Sequence, residues 1–274
     1  MKNKCCICQS TESSKFYKQV DEHTLLHCQL CKLVYLQDID FDVEDFIKDA
    51  QQNKDAKVEF WSVPNLYDKH QHVFDHFFAQ RLSRIEENNL PLKNALDVGI
   101  GYGFWANYLK QHREIQTDGL DIELGAVNYC NETYKLNSLH QSFESFETNK
   151  KFDAIFMFDV LEHFVSPQDM LEKAKSMLTD EGFIYIQVPN VLGLKVPFGH
   201  GLGLPYHLWQ FDHSNIKKLF KEVNLEVVQY WTGNQGIIGH YEKGGPSFLR
   251  QMYWDIGNFF KRGNRLQVIV KPSF

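Results

Sequence analysis

The stretch "NALDVGIGYGFWANYLKQH", residues 94 to 112, decides the fold. It reads as a short buried strand over Ala95 to Val98, three alternate glycines at Gly99, Gly101 and Gly103, and a helix that turns Phe104, Trp105, Tyr108 and Leu109 inward. Glycine permits positive φ and lets the backbone approach a ligand closely. A strand, a glycine loop and a helix in this order cradle a nucleotide-like group at the helix N-terminus. Two familiar alternatives fit less well. The dinucleotide fingerprint G-x-G-x-x-G needs glycine where Phe104 stands, so NAD is the lesser candidate, and no Gly-Lys-Ser/Thr follows to make a Walker loop.

Working downstream, "QTDGLDIE" is a second strand ending in Asp121, 22 residues after Gly99. A carboxylate at that strand end can accept both hydroxyls of a ribose. "AIFMF" is a buried strand leading into "DVLEHF", which gathers Asp159, Glu162 and His163. A helix follows, with Ser166 as N-cap, Pro167 in its first turn, Asp169 completing a capping-box-like pattern and Gly182 shortly after its end. Met170, Leu171, Ala174, Met177 and Leu178 form its buried stripe, and "FIYIQVP" is the next strand. Residues 190–214 carry four glycines, four aromatics and three histidines, a composition more typical of a substrate loop than of a neutral connection. Ile216, Leu219, Phe220 and Val223 then mark a helix, Asn224 a left-handed cap, and "LEVVQYW" and "RLQVIVKP" the last two strands.

Upstream, six cysteines in an expected reducing compartment argue against a disulfide framework, so their spacing is read first as metal chemistry. Cys5-x2-Cys8 and Cys28-x2-Cys31, 19 residues apart, match two zinc knuckles joined by a hairpin of "KFYKQV" and "TLLHC". Such a closed four-thiolate site is structural, and zinc would supply much of the folding free energy of so small a module. Cys6 competes with Cys5, a redox C-x-x-C is the weaker alternative, and Cys130 is a buried small apolar residue. Residues 41–92 form a helical linker or cap, in which Val73, Phe77, Leu82 and Ile85 share one face. His72 and His76, four apart, could chelate but have no third ligand nearby.

Composition bounds the class. With 43% hydrophobic residues in 274, the chain can bury one large domain plus a small module. Its net charge of -6, without a long Lys/Arg cluster, disfavours nucleic acid as a partner. "MKNKCCICQS" has no signal-peptide core and no apolar run reaches membrane-spanning length, so the expected location is the cytoplasm, away from any membrane.

The pieces "LDVGIGYG", "GLDIE", "FDAIFMFDVLEHF", "LTDEGFIYIQVPN" and "YHLWQFDHSNIKKLFKEVNLEVVQY", in this order and spacing, resemble the class I S-adenosylmethionine-dependent methyltransferases from about Leu92 onward. The resemblance implies an α/β fold with a Rossmann-like seven-stranded sheet whose last strand pair is antiparallel. A zinc ribbon over 1–40 and the linker would precede a catalytic domain over 93–274, with 191–215 and 234–262 as substrate-side loop and helical cap. By resemblance, Asp97, Gly99, Gly101 and Gly103 surround the methionine and ribose parts of S-adenosylmethionine. Asp121 with Ile122 lies at the ribose, Phe143 and Glu144 border the adenine, and Phe158 with Asp159 lies beneath the methionine.

Methyl transfer to a hydroxyl benefits from a base. His163 is the first candidate, at the carboxyl edge of the sheet, with His207 and His213 as competitors. "DVLEHF" also resembles the E-x-x-E-H segment of ubiquinone-pathway O-methyltransferases, which implies a divalent ion at Asp159, Glu162 and His163, with Asp in place of the first Glu. A capping role for Glu162 and His163 stands beside both. A zinc ribbon ahead of such a domain resembles methyltransferases of sugars, cell-surface polysaccharides and secondary metabolites. Carbon-methylating relatives have a further C-terminal domain, so O-methylation of a small-molecule or sugar acceptor is expected. Ribosomal RNA methyltransferases with zinc ribbons are the alternative, but residues 1–40 carry five basic and five acidic residues and offer phosphate little pull. A non-catalytic cofactor-binding or partner-binding protein is the third reading.

Overall fold

The computed structural model describes residues 4–38, 64–193, 202–233 and 247–273. Two sheets organise them. The larger is built on β4 (Asn94–Val98), β5 (Gln116–Asp121), β6 (Asn137–His140), β7 (Phe152–Phe158), β8 (Leu178–Pro189), β10 (Leu225–Gly233) and β11 (Arg265–Pro272), in the order β10-β11-β8-β7-β4-β5-β6. β11 runs antiparallel to both neighbours, and the other pairs are parallel. The chain leaves β4 toward β5 and β6, then returns to β7 on β4's other side. That reversal opens a crevice at the carboxyl ends of β4 and β7, where open α/β sheets bind ligands.

Both faces of this sheet are covered, which is why β7 is apolar almost throughout. Ala95, Ala154, Phe156, Phe183 and Tyr185 face helices α1 (Pro64–Glu87) and α2 (Phe104–Arg113). Their neighbours Leu96, Ile155, Met157, Ile184 and Ile186 face the opposite way, toward Leu171 and Ala174 of α4 (Pro167–Ser176) and Ile216 and Leu219 of α5 (Asn215–Glu222). The alternation is the period-2 rule of a strand. Helix α3 (Leu124–Thr133) links β5 to β6.

The smaller sheet orders β1 (Ser14–Val20), β2 (His23–Cys28), β3 (Val34–Leu36) and β9 (Trp209–Gln210). Its apolar side, with Ile7, Leu26, Leu33 and Tyr35, shares one core with α4 and α5. Its last strand comes from the long segment after β8.

Several local expectations need correction. On α1 the buried stripe is Tyr67, Val73, Phe78, Leu82 and Ile85, so Phe78 replaces Phe77, one position along the helix. β8 begins at Leu178, and Leu178 and Gly182 belong to that strand. The β7–β8 register shifts between Phe152 and Ala154 at this point, as at a bulge, and a Cβ on Gly182 would stand 3.0 Å from the Phe152 carbonyl. Ser166 makes no side-chain cap bond. Of 234–262 the described residues are 247–262, most of them in helix α6 (Phe248–Phe259), while the helical reading of 41–63 and parts of both proposed substrate segments lie outside the described residues. No helix among the described residues is long and apolar enough to cross a membrane.

Candidate active site

The glycine loop is tied to the sheet by its own backbone. The N–H groups of Gly99 and Ile100 both donate to the Leu120 carbonyl, at 2.8 and 3.0 Å. Asp121 locks the next turn: Oδ2 accepts from the Gly101 N–H at 2.7 Å and Oδ1 from the Glu123 N–H at 2.9 Å. Gly101 has φ +54, and a Cβ there would meet nothing within 4 Å, so its exposed side is open space of the kind a ligand fills. Gly103, at φ +74, opens α2, and its missing Cβ is what lets Cys130 and Leu136 close beneath the loop. The Cys130 thiol donates to the Gly101 carbonyl, and burial lifts its pKa to about 12.

Beneath this loop lies a polar network enclosed in aromatic side chains. Asp97, buried on β4, has its pKa lifted to about 7 by burial, with Asp121 adding repulsion and the Arg81 guanidinium pulling the other way. Arg81 reaches in from α1: its guanidinium sits 4.0 Å above the Phe158 ring and donates to Gln187 Oε1 at 3.0 Å. Gln187 in turn donates to Asp159 Oδ2 at 2.6 Å, and Arg265 Nε pairs with Asp159 Oδ1 at 2.8 Å. Asp159 has φ +56, which turns the chain sharply out of β7.

Three side chains converge just beyond that turn. Ligand atoms of Glu162, His163 and His207 all lie within 4.8 Å of one another. Glu162 is buried, and burial, reinforced by the Asp159 charge, raises its pKa well above the carboxylate range. Burial lowers that of His163, which favours the neutral ring. His163 Nδ1 lies 2.9 Å from the Tyr206 carbonyl; a carbonyl only accepts, so Nδ1 carries the hydrogen and Nε2 the lone pair.

A family model described as a methyltransferase domain, methyltransferase-23, matches residues 67–230. The chain belongs to this methyltransferase family. The ubiquinone biosynthesis O-methyltransferase of Glaesserella parasuis serovar 5 is 26% identical over 123 residues, 40% of this chain and 52% of that protein. The mitochondrial ubiquinone biosynthesis O-methyltransferase of Dictyostelium discoideum is 27% identical over 120 residues, 37% of each chain. The chain therefore spans about half the length, or less, of these curated relatives. Among solved structures, magnesium protoporphyrin IX methyltransferase of Synechocystis PCC 6803, with bound S-adenosylmethionine, shares the fold. Its TM-score is 0.53 at 13% identity, over 86% of this chain and 100% of that one.

The residues named from sequence occupy this methyltransferase frame unevenly. Asp97, Gly99, Gly101, Gly103, Asp121, Phe158 and Asp159 gather at the carboxyl edge. Ile122 follows β5 and its carbonyl lies 2.9 Å from His140 Nε2. Phe143 is buried against Phe164, with the Lys173 ammonium over its ring, while the Glu144 side chain is exposed. His213 sits in the turn where Asp212 Oδ1 accepts the Ser214 and Asn215 N–H groups, and it is outside the Glu162 cluster. Asp159 is also outside that cluster, held by Arg265 and Gln187, and His207 stands third with Glu162 and His163. Sequence reading missed Arg81, Gln187 and Arg265. Arg81 did leave a signal, an arginine on the apolar stripe between Phe78 and Leu82.

The four paired cysteines fit zinc. Cys5 and Cys31 sulfurs lie 3.3 Å apart, Cys8 and Cys28 3.4 Å, and all four lie within 4.8 Å of one another. Thiolates about 2.3 Å from a tetrahedral ion stand roughly 3.8 Å apart, so little adjustment is needed. The two turns match: Gln9 N–H bonds to Cys5 O and Lys32 N–H to Cys28 O, both at 3.0 Å, with Gln9 and Lys32 at positive φ. Cys6 lies outside this set, a buried thiol kept protonated by its surroundings. His72 and His76 are exposed and His76 bonds to Gln80.

Proposed function

We propose that this chain transfers a methyl group from S-adenosylmethionine to an oxygen of a small-molecule or sugar acceptor, such as a cell-surface glycan precursor, in the cytoplasm. S-adenosylmethionine supplies an electrophilic methyl on a sulfonium. The protein's part is to hold that donor, align the acceptor oxygen and exclude water. Asp97, Gly99, Gly101, Gly103 and Asp121 form the donor cradle with Phe158 and Asp159, and Phe143 and Glu144 border its adenine end. One zinc held by Cys5, Cys8, Cys28 and Cys31 completes the fold.

The observation that carries the acceptor chemistry is His163. Its tautomer is set by the Tyr206 carbonyl, its neutral form is favoured by burial, and it follows the strand that ends in Phe158 and the turn at Asp159. An imidazole so arranged takes a hydroxyl proton on Nε2 as the oxygen attacks. His207 helps place it. The similarity to O-methyltransferases supports oxygen as the target. A divalent cation held by Glu162, His163 and His207 is the second reading, favoured by their close ligand atoms. Such an ion would polarise an acceptor hydroxyl and draw the proton off Glu162.

The test is incubation of the purified protein with methyl-labelled S-adenosylmethionine and fractionated extract. Label in a small-molecule or glycan fraction is expected. Label in ribosomal RNA would overturn the acceptor class, and no S-adenosylmethionine binding at millimolar concentration would overturn the enzyme reading in favour of a binding protein.

A further inference from the structure

The cysteine ribbon does not end at its own third strand. The outer edge of β3 pairs antiparallel with β9, Val34 opposite Gln210 and Tyr35 opposite Trp209, and the Leu36 N–H donates to the Leu208 carbonyl at 2.9 Å. From this same short piece of chain, three bonds run the other way, into the turn that carries Glu162 and His163. Leu208 N–H donates to the Glu162 carbonyl at 3.0 Å, Trp209 Nε1–H to the Phe164 carbonyl at 2.7 Å, and His163 Nδ1–H to the Tyr206 carbonyl at 2.9 Å. The strand is clamped between ribbon and acceptor turn.

Packing follows the hydrogen bonds. Trp209 lies 5.5 Å, centroid to centroid, from Tyr35, and both belong to the core that contains Cys5, Cys28 and Cys31. The ribbon is fastened to the larger sheet's helices by Lys218 Nζ on the Cys31 carbonyl and Gln168 Nε2 on the Ile7 carbonyl. A two-residue strand cannot persist without a neighbour. Neither can a three-stranded ribbon of this size without its metal.

We propose that the ribbon is one wall of the acceptor site: its β3 edge, acting through β9 and Trp209, positions His207 and the Tyr206 carbonyl, so that metal occupancy governs the acceptor side. The donor loop is held separately, by Leu120 and Asp121, and does not depend on it. Trp209 and Leu36 are positioning residues. The proposal rests on the reading of Glu162, His163 and His207 as the acceptor side, but its test requires no turnover, so the two can fail independently.

The experiment compares amide hydrogen exchange in the zinc-loaded full chain and after chelation, with S-adenosylmethionine affinity measured in parallel. Chelation should speed exchange about 10-fold or more both in Val34–Leu36 and at 206–210, and change donor affinity less than about twofold. The Leu36→Pro variant, with or without its zinc, should show the same acceleration at 206–210. In 15N-histidine spectra it should also lose the fixed Nδ1–H tautomer of His163. Protection at 206–210 that survives chelation, an unchanged His163 tautomer in Leu36→Pro, or loss of donor binding together with the ribbon would each overturn the proposal.

Discussion

Nε2 of His207 lies 4.0 Å from a carboxylate oxygen of Glu162, a side chain almost wholly withdrawn from solvent. His207 and His163 meet edge to face, 4.9 Å apart, so the two rings and the carboxyl form one cluster drawn from two distant segments. If His163 is the proton acceptor and His207 fixes its placement, His163→Ala should lower turnover about 100-fold or more on whichever extract fraction accepts label, and His207→Ala should lower it about 10-fold. Both variants should keep the wild-type affinity for S-adenosylmethionine, measured by calorimetry. His213→Ala should change neither quantity. Unaltered turnover in His163→Ala would remove it from the mechanism.

Asp97 makes a pH prediction. Its native pKa of about 7 lies well above the unfolded value of about 3.9. The native state thus retains a proton that the unfolded chain sheds, and this contribution to stability declines as pH rises from about 4 to 7. Asp97→Asn removes that decline. A cationic donor binds the carboxylate form better, so S-adenosylmethionine affinity should rise between pH 6 and pH 8 in the wild type and stay flat in Asp97→Asn. Chemical denaturation and calorimetry at the two pH values read both effects. Equal wild-type affinities would show that Asp97 does not titrate on binding.

The larger sheet was legible because its signals are local. A buried strand, three glycines and an aromatic-lined helix are contiguous in sequence, and the strands "FDAIFMF" and "RLQVIVKP" carry their burial in their composition. The start of β8 was not legible, since Gly182 punctuates a pattern that the sheet absorbs as a bulge. Nor was the junction of the two sheets. β9 is two residues in a glycine-rich segment, and its partner β3 lies near the other end of the chain, so no periodicity announces the pair. The meeting of His207 with Glu162 depends on that pairing, whereas the resemblance to the E-x-x-E-H segment implied Asp159 as the neighbour. Arg81 was not legible as a site residue because arginine on a helix is ordinarily exposed, whereas here Phe158 and Gln187 receive it.

That arginine is the counter-charge to the buried Asp97 carboxylate, whereas Asp159 pairs with Arg265. Arg81→Met keeps most of the volume and removes the guanidinium, leaving Asp97 without its counter-charge. The fold should lose about 3 kcal/mol, and the pH midpoint of S-adenosylmethionine binding should move upward. Arg81→Lys restores charge without the planar contact on Phe158 or the fork to Gln187, and should recover the midpoint more fully than the stability. Denaturation curves and affinity against pH distinguish the two losses. Identical behaviour of the Met and Lys variants would assign Arg81 to packing alone.

Gly101 and Gly103 differ in what a methyl group would meet, and the difference separates stability from binding. At Gly103 a Cβ would stand 2.7 Å from the Cys130 sulfur and 2.9 Å from Leu136 Cδ1, on a backbone at φ +74. Gly103→Ala should therefore cost about 2–3 kcal/mol, from left-handed strain plus the clash. Adding Cys130→Ala should return only the part due to the sulfur, since the Leu136 contact and the strain at φ +74 remain. At Gly101 nothing lies within 4 Å, so Gly101→Ala should cost only the strain of φ +54, about 1 kcal/mol. Its methyl group would point into the space assigned to the donor, and S-adenosylmethionine affinity should fall about 10-fold or more while the folded chain persists. A Gly101→Ala protein that binds the donor as tightly as wild type would place the ligand elsewhere along the carboxyl edge.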